Sequence, residues 1–183
     1  MAFCDPLRTA AAFDQMTQHN LPSRLATEQD FDFVYSLYMH PTINPYMNHD
    51  VMSAEDFRPI FKNEFLARDY FWIFESNKKD IGMCTIALGK TRMAHVANIG
   101  SLAIHPEMQG KKMGPQVMHT ILDFLQDKGL KRITLGVEAD NPRALALYQK
   151  FGFIVDGIFP KNFRRADSNE YIDHIMMSKW IGD

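Results

Sequence analysis

The segment from Glu138 to Phe153 carries the residues whose types and spacing best suit chemistry. A β-branched run, residues 132–137, precedes it and favours a strand. Asn141 can cap a helix, and Pro142 suits the first helical position. Helical spacing then places Tyr148 on the apolar face of that helix. The segment therefore predicts a strand followed by a capped helix that presents a tyrosine hydroxyl on its inward side.

A second segment, residues 99–115, also has a pattern suited to chemistry. A strand is predicted to end near His105, and a glycine-containing loop leads into an amphipathic helix. The apolar stripe of that helix consists of Val117, Ile121, Phe124 and Leu125. A loop that opens a helix exposes unpaired backbone N–H groups at the positive end of the helix dipole. Such a site binds anions and suits a pyrophosphate.

The order of these two segments resembles the GNAT superfamily of acetyl-CoA-dependent N-acetyltransferases, whose loop reads Gln/Arg-x-x-Gly-x-Gly/Ala. Gln109 and Gly114 match this loop, whereas Lys112 stands in place of the central glycine. Glycine adopts positive φ without steric cost, so we expect a lysine to fit only with right-handed helical backbone at residue 112. The resemblance implies that acetyl-CoA contacts Leu102, Ala103, Ile104, Gln109, Gly110, Lys111, Lys112, Met113, Gly114, Asn141 and Tyr148.

The chemistry implied by the resemblance is acetyl transfer from a thioester to an amine. A backbone N–H of the fourth strand, near Leu102 to Ile104, would stabilise the developing oxyanion. Tyr148 matches the family tyrosine assigned to the departing thiolate. A phenol of pKa near 10 protonates a thiolate of pKa near 8.5 at a cost of roughly 2 kcal/mol. We therefore expect Tyr148 to donate a hydrogen bond rather than transfer its proton fully.

The sequence does not single out the residue that acts as the base and makes the amine neutral. Glu138, Asp173 and His95 are the candidates, and a water relay is a further alternative. Each side chain also has a structural interpretation: Glu138 as a loop-end carboxylate, Asp173 as a hairpin hydrogen-bond partner and His95 as a solvated strand start. Asn98 stands on the fourth strand where some relatives carry a catalytic glutamate, which weakens a direct-base mechanism.

The elements around these segments predict a mixed α/β sheet. Thr27 with Asp30 resembles a capping box, and Ser53 with Asp56 opens a second helix. The resemblance implies a mostly antiparallel central sheet flanked by helices, with splayed parallel fourth and fifth strands at the cofactor. We expect one acetyltransferase domain over residues 23–183 after an N-terminal extension, residues 1–22, in which residues 10–18 suit a short helix.

Composition limits the classes of partner. The 183 residues carry a net charge of −2, so no nucleic-acid partner is expected. No apolar stretch approaches the ~20 residues of a membrane helix, and the N-terminus lacks the order of a secretory signal. Two cysteines and 7 histidines show no metal-type spacing, so we expect no metal site. These observations favour a cytoplasmic protein and leave a homodimer open.

Two end segments narrow the resemblance further. Residues 24–30 and 169–178 are similar to the branch that contains ribosomal-protein N-terminal acetyltransferases and bacterial amino-acid acetyltransferases. The resemblance implies transfer of an acetyl group to a primary amine of a small molecule or amino acid, by direct attack in a ternary complex. One alternative is a protein N-terminal acetyltransferase, and another is a non-catalytic acyl-CoA-binding or sensor protein.

Overall fold

A computed structural model describes residues 21–166 and 168–182 of the chain. Its strands are β1 Ser23–Leu25, β2 Tyr70–Ser76, β3 Lys79–Leu88, β4 Val96–Ile104, β5 Arg132–Glu138, β6 Ile154–Arg164 and β7 Tyr171–Trp180. Its α-helices are α1 Phe31–Tyr38, α2 Ala54–Ile60, α3 Met113–Asp127 and α4 Pro142–Lys150. The helix predicted over residues 10–18 lies outside the described residues, as does most of the predicted N-terminal extension. No helix in the described part of the chain is long and apolar enough to cross a membrane.

The strands form one sheet in the order β1-β2-β3-β4-β5-β7-β6, in which β4 and β5 are parallel and the other pairs antiparallel. The parallel pairing runs from Val96 opposite Arg132 to Ile99 opposite Leu135. Beyond that point β5 continues along β7 to Glu138, while β4 continues along β3. The two parallel strands therefore part in mid-sheet, and the predicted mixed sheet with splayed fourth and fifth strands is confirmed.

A bulge interrupts β4 close to the point where the strands part. Met83 lies opposite Ala103 and Thr85 opposite Gly100, so two residues of β4, Ser101 and Leu102, face one residue of β3. Ser101 has a φ of 46°, in the left-handed region. A bulge bends its strand and disrupts the ladder locally. The backbone of β4 is thereby released from regular pairing at the split in the sheet.

Helices cover both faces of the sheet, and each face has its own apolar core. On one face α3 and α4 pack through side chains that include Val117, Ile121 and Tyr148. On the other face α1, α2, the turn after α2 and strand β2 form an aromatic core of Phe31, Tyr38, Phe57, Phe61, Phe65 and Phe71. A sheet buried on both faces holds its central strands rigidly, because every shift would disturb two packed layers. The split in the sheet is therefore positioned by both cores.

The predicted helix starts on the aromatic side are both present. The backbone N–H of Thr27 donates to Asp30 Oδ2 at 2.7 Å, which completes the capping box before α1. Ser53 caps α2 by accepting from the backbone N–H of Asp56 at 3.1 Å. After Ile60 the helix continues as a wider, π-helical turn over Phe61–Phe65, which the sequence pattern did not predict.

Positive φ values shape two parts of the antiparallel sheet. Asn77 and Lys78 both adopt positive φ, 50° and 61°, and close a two-residue hairpin between β2 and β3. Strand β6 runs to Arg164. A register shift between Phe159 and Phe163, with Lys161 at φ 55°, lets the strand pass Pro160 and pair again.

Candidate active site

Two adjacent cavities open where β4 and β5 part. The first, of about 390 Å³, is lined by β4, the loop before α3 and the start of α4. The second, of about 300 Å³, is lined by β4, the end of β5 and the facing part of β7. The residues that line both are Tyr46, Met47, Leu102, Asn141, Ala144 and Tyr148. The cavities therefore share a wall at Tyr148 and the β4 bulge.

The first cavity gathers most of the predicted cofactor residues. Its lining includes Leu102, Ala103, Ile104, Gln109, Gly110, Lys112, Met113, Gly114, Asn141 and Tyr148. Lys111 belongs to the same loop but is not part of the lining described. Sequence reasoning missed Thr42, Ile43, Tyr46, Met47, Pro115, Arg143, Ala144 and Leu147. Helical spacing from Asn141 could have found the three α4 residues, whereas the loop of residues 41–51 carries no local signal.

Lys112 contradicts the backbone conformation expected for it. The residue has φ 62° and ψ 17°, so it is left-handed rather than right-handed helical, and it stands immediately before α3. Gly110, two residues earlier, also has positive φ, 78°. The left-handed region costs a residue with a Cβ atom roughly 1–2 kcal/mol. The loop therefore keeps the shape that glycine would adopt freely and carries a lysine side chain at a cost.

Gln109 ties this loop to two other elements. Its Nε2 donates to the backbone carbonyl of Ile104 at 3.0 Å, and its Oε1 accepts from Arg143 Nη1 at 2.6 Å. The side chain thus links the end of β4 to the first turn of α4 across the cavity. It also holds the Arg143 guanidinium at the cavity that the α3 N-terminus faces, which adds a cation beside Lys112.

Tyr148 sits as the helical pattern predicted. Asn141 Oδ1 accepts from the backbone N–H of Ala144 at 3.1 Å and caps α4, which fixes the register of the helix. Tyr148 is 7% exposed and packs with Phe153 in the core. Burial raises the pKa of its hydroxyl to about 12. The phenol is therefore protonated at any ordinary pH and can act as a hydrogen-bond donor.

Glu138 lies in the second cavity and pairs with an arginine. Arg165, which follows β6, donates to Glu138 and Asp140 and to the backbone carbonyl of Pro45. Its guanidinium also lies 5.3 Å from the centre of the Tyr46 ring. Burial raises the pKa of Glu138, although Arg165 acts in the opposite direction. Arg165 thus connects the loop of residues 41–51 to the end of β5, and Tyr46 and Glu138 at the two ends of this connection both line the second cavity.

The other two candidate bases lie elsewhere. Asp173 Oδ1 accepts from the backbone N–H of Lys161 at 2.8 Å, the hairpin role considered above, and the residue lines neither cavity. His95 lies before β4, with its ring 6.3 Å from that of Trp180, and lines neither cavity. Asn98 lines the second cavity and donates to Thr134 Oγ1 at 3.0 Å. The structure therefore brings Glu138 and Tyr148 together without Asp173 or His95.

His174 lines the second cavity, and sequence reasoning missed it. It lies opposite Glu138 in the β5–β7 ladder, with its ring 5.0 Å from that of Phe163 and 6.3 Å from that of Phe159. Burial lowers the pKa of the imidazole. Side chains alternate between the two faces of β7, so His174 and Met176 share a face and Asp173 points to the other. This alternation could have identified His174 from the sequence. No group of three His, Cys, Asp or Glu side chains in the described ranges could hold a metal ion.

Comparison with known proteins decides the family. The sequence profile of the Acetyltransferase (GNAT) family matches residues 31–153. The chain belongs to the GNAT acetyltransferase family. As a GNAT protein it shares its fold with a spermidine N-acetyltransferase from Vibrio cholerae, solved with CoA and spermine, at a TM-score of 0.75 and 22% identity. That likeness covers 88% of this chain and 95% of the other, and it concerns the fold.

Curated GNAT relatives match the chain over different lengths. A protein of Bacillus subtilis (strain 168), provisionally named a ribosomal protein bS18-alanine N-acetyltransferase, is 26% identical over 132 residues. That match covers 71% of this chain and 78% of the relative. The mycothiol acetyltransferase of Renibacterium salmoninarum is 41% identical over 58 residues, which cover 32% of this chain. The chain spans only 17% of the length of that relative.

Proposed function

We propose that this protein is an N-acetyltransferase that binds acetyl-CoA in the first cavity and an amine in the second. The observation that carries the proposal is the wall shared by the two cavities, where Tyr148 and Leu102 line both. A direct transfer in a ternary complex needs the thioester and the amine to be held next to each other. Two cavities that meet at a hydrogen-bond donor provide that arrangement.

The first cavity fits a CoA thioester chemically. The start of α3 presents unpaired backbone N–H groups, and Lys112 and Arg143 add two cations, which together suit a pyrophosphate. Leu102, Ile104 and Leu147 supply apolar surface for an uncharged arm. The volume lies within the ordinary range for small-molecule sites. The fold shared with a protein solved with CoA adds support. Acetyl-CoA supplies the acetyl group as a thioester.

The β4 bulge and Tyr148 act on the two atoms of the thioester C–S bond, the bulge on the carbonyl and Tyr148 on the sulfur. The bulge at Ser101 and Leu102 interrupts the ladder, so a backbone N–H of residues 102–104 can polarise the thioester carbonyl. Tyr148 donates a hydrogen bond to the leaving sulfur. Full transfer of its proton to a thiolate of pKa near 8.5 would cost roughly 5 kcal/mol from a pKa of about 12. Hydrogen-bond donation is the role that this energy permits.

The acceptor in this proposal is a primary amine of a small molecule or amino acid. Glu138 gives the second cavity a carboxylate, while the Arg165 guanidinium is already shared by Glu138, Asp140 and Pro45. A protein N-terminus is the second candidate, and the match to the Bacillus subtilis relative over 71% of the chain favours it. A non-catalytic acyl-CoA sensor is the third, and the unusual Lys112 in the loop motivates it.

An acceptor panel tests the proposal. The purified full chain is incubated with acetyl-CoA and, separately, with spermidine, L-methionine and a peptide beginning with alanine. Released CoA thiol and acetylated product are both quantified, and reactions without protein correct for spontaneous transfer. We expect one of the amines to be acetylated in step with thiol release. Acetylation of the peptide alone would favour the N-terminal acetyltransferase, and binding of acetyl-CoA with no acetylated amine would contradict the enzyme.

A further inference from the structure

In the second cavity, the imidazole of His174 lies directly over Gly136. A Cβ atom built on Gly136 would lie 2.0 Å from His174 Nε2 and 2.6 Å from its Cε1, so the imidazole fills the position that a side chain on Gly136 would take. The two residues sit on neighbouring strands, since His174 pairs with Glu138 and Met176 pairs with Gly136. The absence of a side chain on β5 is therefore what admits the imidazole of β7.

The imidazole of His174 has a ring nitrogen available to accept a proton. Within residues 21–166 and 168–182 its aromatic contacts are the rings of Phe159 and Phe163, it packs over Gly136, and no hydrogen bond is made to either ring nitrogen. Glu138, which lies opposite His174 in the β5–β7 ladder, forms an ion pair with Arg165, the residue after β6. The Glu138 carboxylate is thus already paired with the Arg165 guanidinium, whereas the His174 imidazole lines the same cavity without a polar partner among the described residues.

We infer that His174 is the general base of the transfer, an assignment that rests on the proposed function. The amine nitrogen forms a bond to the thioester carbonyl carbon through its lone pair and becomes acidic as it does so. His174 takes the proton from that nitrogen. The C–S bond breaks with its electrons on sulfur, and the thiolate leaves with a hydrogen bond from Tyr148. The imidazolium returns its proton to solvent, so one amide, one thiolate and one proton are formed.

The electrostatic environment of His174 suits this role at neutral pH. Burial lowers the pKa of the imidazole from its ordinary value near 6.5. At pH 7 the ring is therefore mainly neutral and able to accept a proton. A general base contributes roughly 10²- to 10⁴-fold to the rate of a step that it assists.

The pH dependence of kcat/KM distinguishes a base from a packing residue. The amine substrate stays protonated below pH 7, so its own deprotonation gives log kcat/KM a slope of 1 against pH. For the wild-type protein a second proton must leave His174, and we expect the slope to steepen towards 2 below the pKa of the imidazole. His174→Gln should lower kcat/KM by roughly 10²- to 10⁴-fold at pH 7 and keep a slope of 1 throughout.

Further variants separate chemistry from folding. His174→Ala opens a space that free imidazole can enter, and millimolar imidazole should restore part of its activity. Gly136→Ala keeps the histidine but displaces it, so kcat should fall while acetyl-CoA binds as before. Tyr171→Phe, on the same strand and exposed, serves as the matched control and should leave kcat/KM unchanged. Calorimetry with acetyl-CoA on every variant verifies that the first cavity is intact.

The outcomes separate this inference from the proposed function. A wild-type protein that binds acetyl-CoA but acetylates none of spermidine, L-methionine and the alanine peptide contradicts the proposed function, and the base assignment with it. An active wild-type protein whose His174→Gln variant works within threefold of its rate contradicts the base assignment alone. The base assignment is also contradicted if His174→Gln is slow but keeps the steep acidic slope of log kcat/KM, and His174→Ala gains no activity from imidazole.

Discussion

At the scale of single residues, the site depends on side chains whose burial sets their chemistry. Tyr148 is held in the core by the helix that Asn141 caps, and the residue lines both cavities. Burial raises its pKa to about 12, which removes it as a base and leaves it a donor. Glu138 instead shares its buried position with Arg165, so its charge is balanced before any substrate arrives.

Removal of the Tyr148 hydroxyl tests its proposed role. Tyr148→Phe keeps the aromatic packing and deletes one hydrogen-bond donor, so kcat should fall by roughly 10- to 1000-fold. The affinity for acetyl-CoA and the free energy of unfolding should change little. Steady-state kinetics, calorimetry and urea denaturation measure the three quantities. Acetyl transfer at the wild-type rate would show that the tyrosine serves packing alone.

At the scale of elements, the strand–helix unit around Tyr148 could be predicted because its signals are local. Asn141 at the cap, the apolar spacing of α4 and the pattern before it all act within a few residues. The placement of Arg165 and His174 could not be predicted in this way. Arg165 reaches the site through the β6–β7 hairpin, and His174 enters because a residue on another strand, Gly136, has no side chain. Both depend on register between strands distant in the sequence.

The backbone conformation of the loop before α3 could likewise not be predicted from the sequence. Its position and its match to the family loop followed from the residues, but the left-handed conformation of Lys112 did not. A left-handed lysine costs roughly 1–2 kcal/mol, which is small beside the packing that fixes both ends of the loop, so strain alone does not exclude it. Gln109, bonded to Ile104 and Arg143, is part of that restraint.

Matched glycine substitutions measure the strain at Lys112. Lys112→Gly and Lys111→Gly add the same flexibility to the unfolded chain, but only the first relieves a left-handed lysine. We expect Lys112→Gly to be more stable than Lys111→Gly by about 1–2 kcal/mol in urea denaturation. It should also retain binding of acetyl-CoA. Equal stabilities for the two variants would mean that residue 112 carries no strain.

At the scale of the whole molecule, an ion-pair cluster joins the first strand, the first helix and the β2–β3 hairpin. Arg24 donates to Asp30 at 2.7 Å, to Glu75 at 2.8 Å and to Asp80 at 3.1 Å. Asp30 is 6% exposed. Burial acts to raise its pKa, but hydrogen bonds from Arg24 and Thr27 outweigh burial and lower it. A lowered pKa means that the ionised carboxylate stabilises the folded state.

The stability that Asp30 provides should depend on pH with a defined sign. Its contribution is complete above the unfolded-state pKa near 3.9 and is lost as the pH falls through the lower folded-state value. Asp30→Asn should therefore cost about 1–2 kcal/mol at pH 7, and the difference from wild type should shrink below about pH 4. Urea denaturation at pH 7 and pH 3 measures it. Asp32→Asn, an exposed neighbour, is the control, and a difference independent of pH would contradict the assignment.

Titration calorimetry of the full chain with acetyl-CoA shows whether the parting of β4 and β5 creates a binding site for it. We expect one acetyl-CoA bound per chain, with an affinity that exceeds that for ATP, which controls for general anion binding. Tyr148→Phe should bind acetyl-CoA as the wild-type protein does. Absence of a binding signal at millimolar acetyl-CoA would contradict the enzyme and the sensor alike.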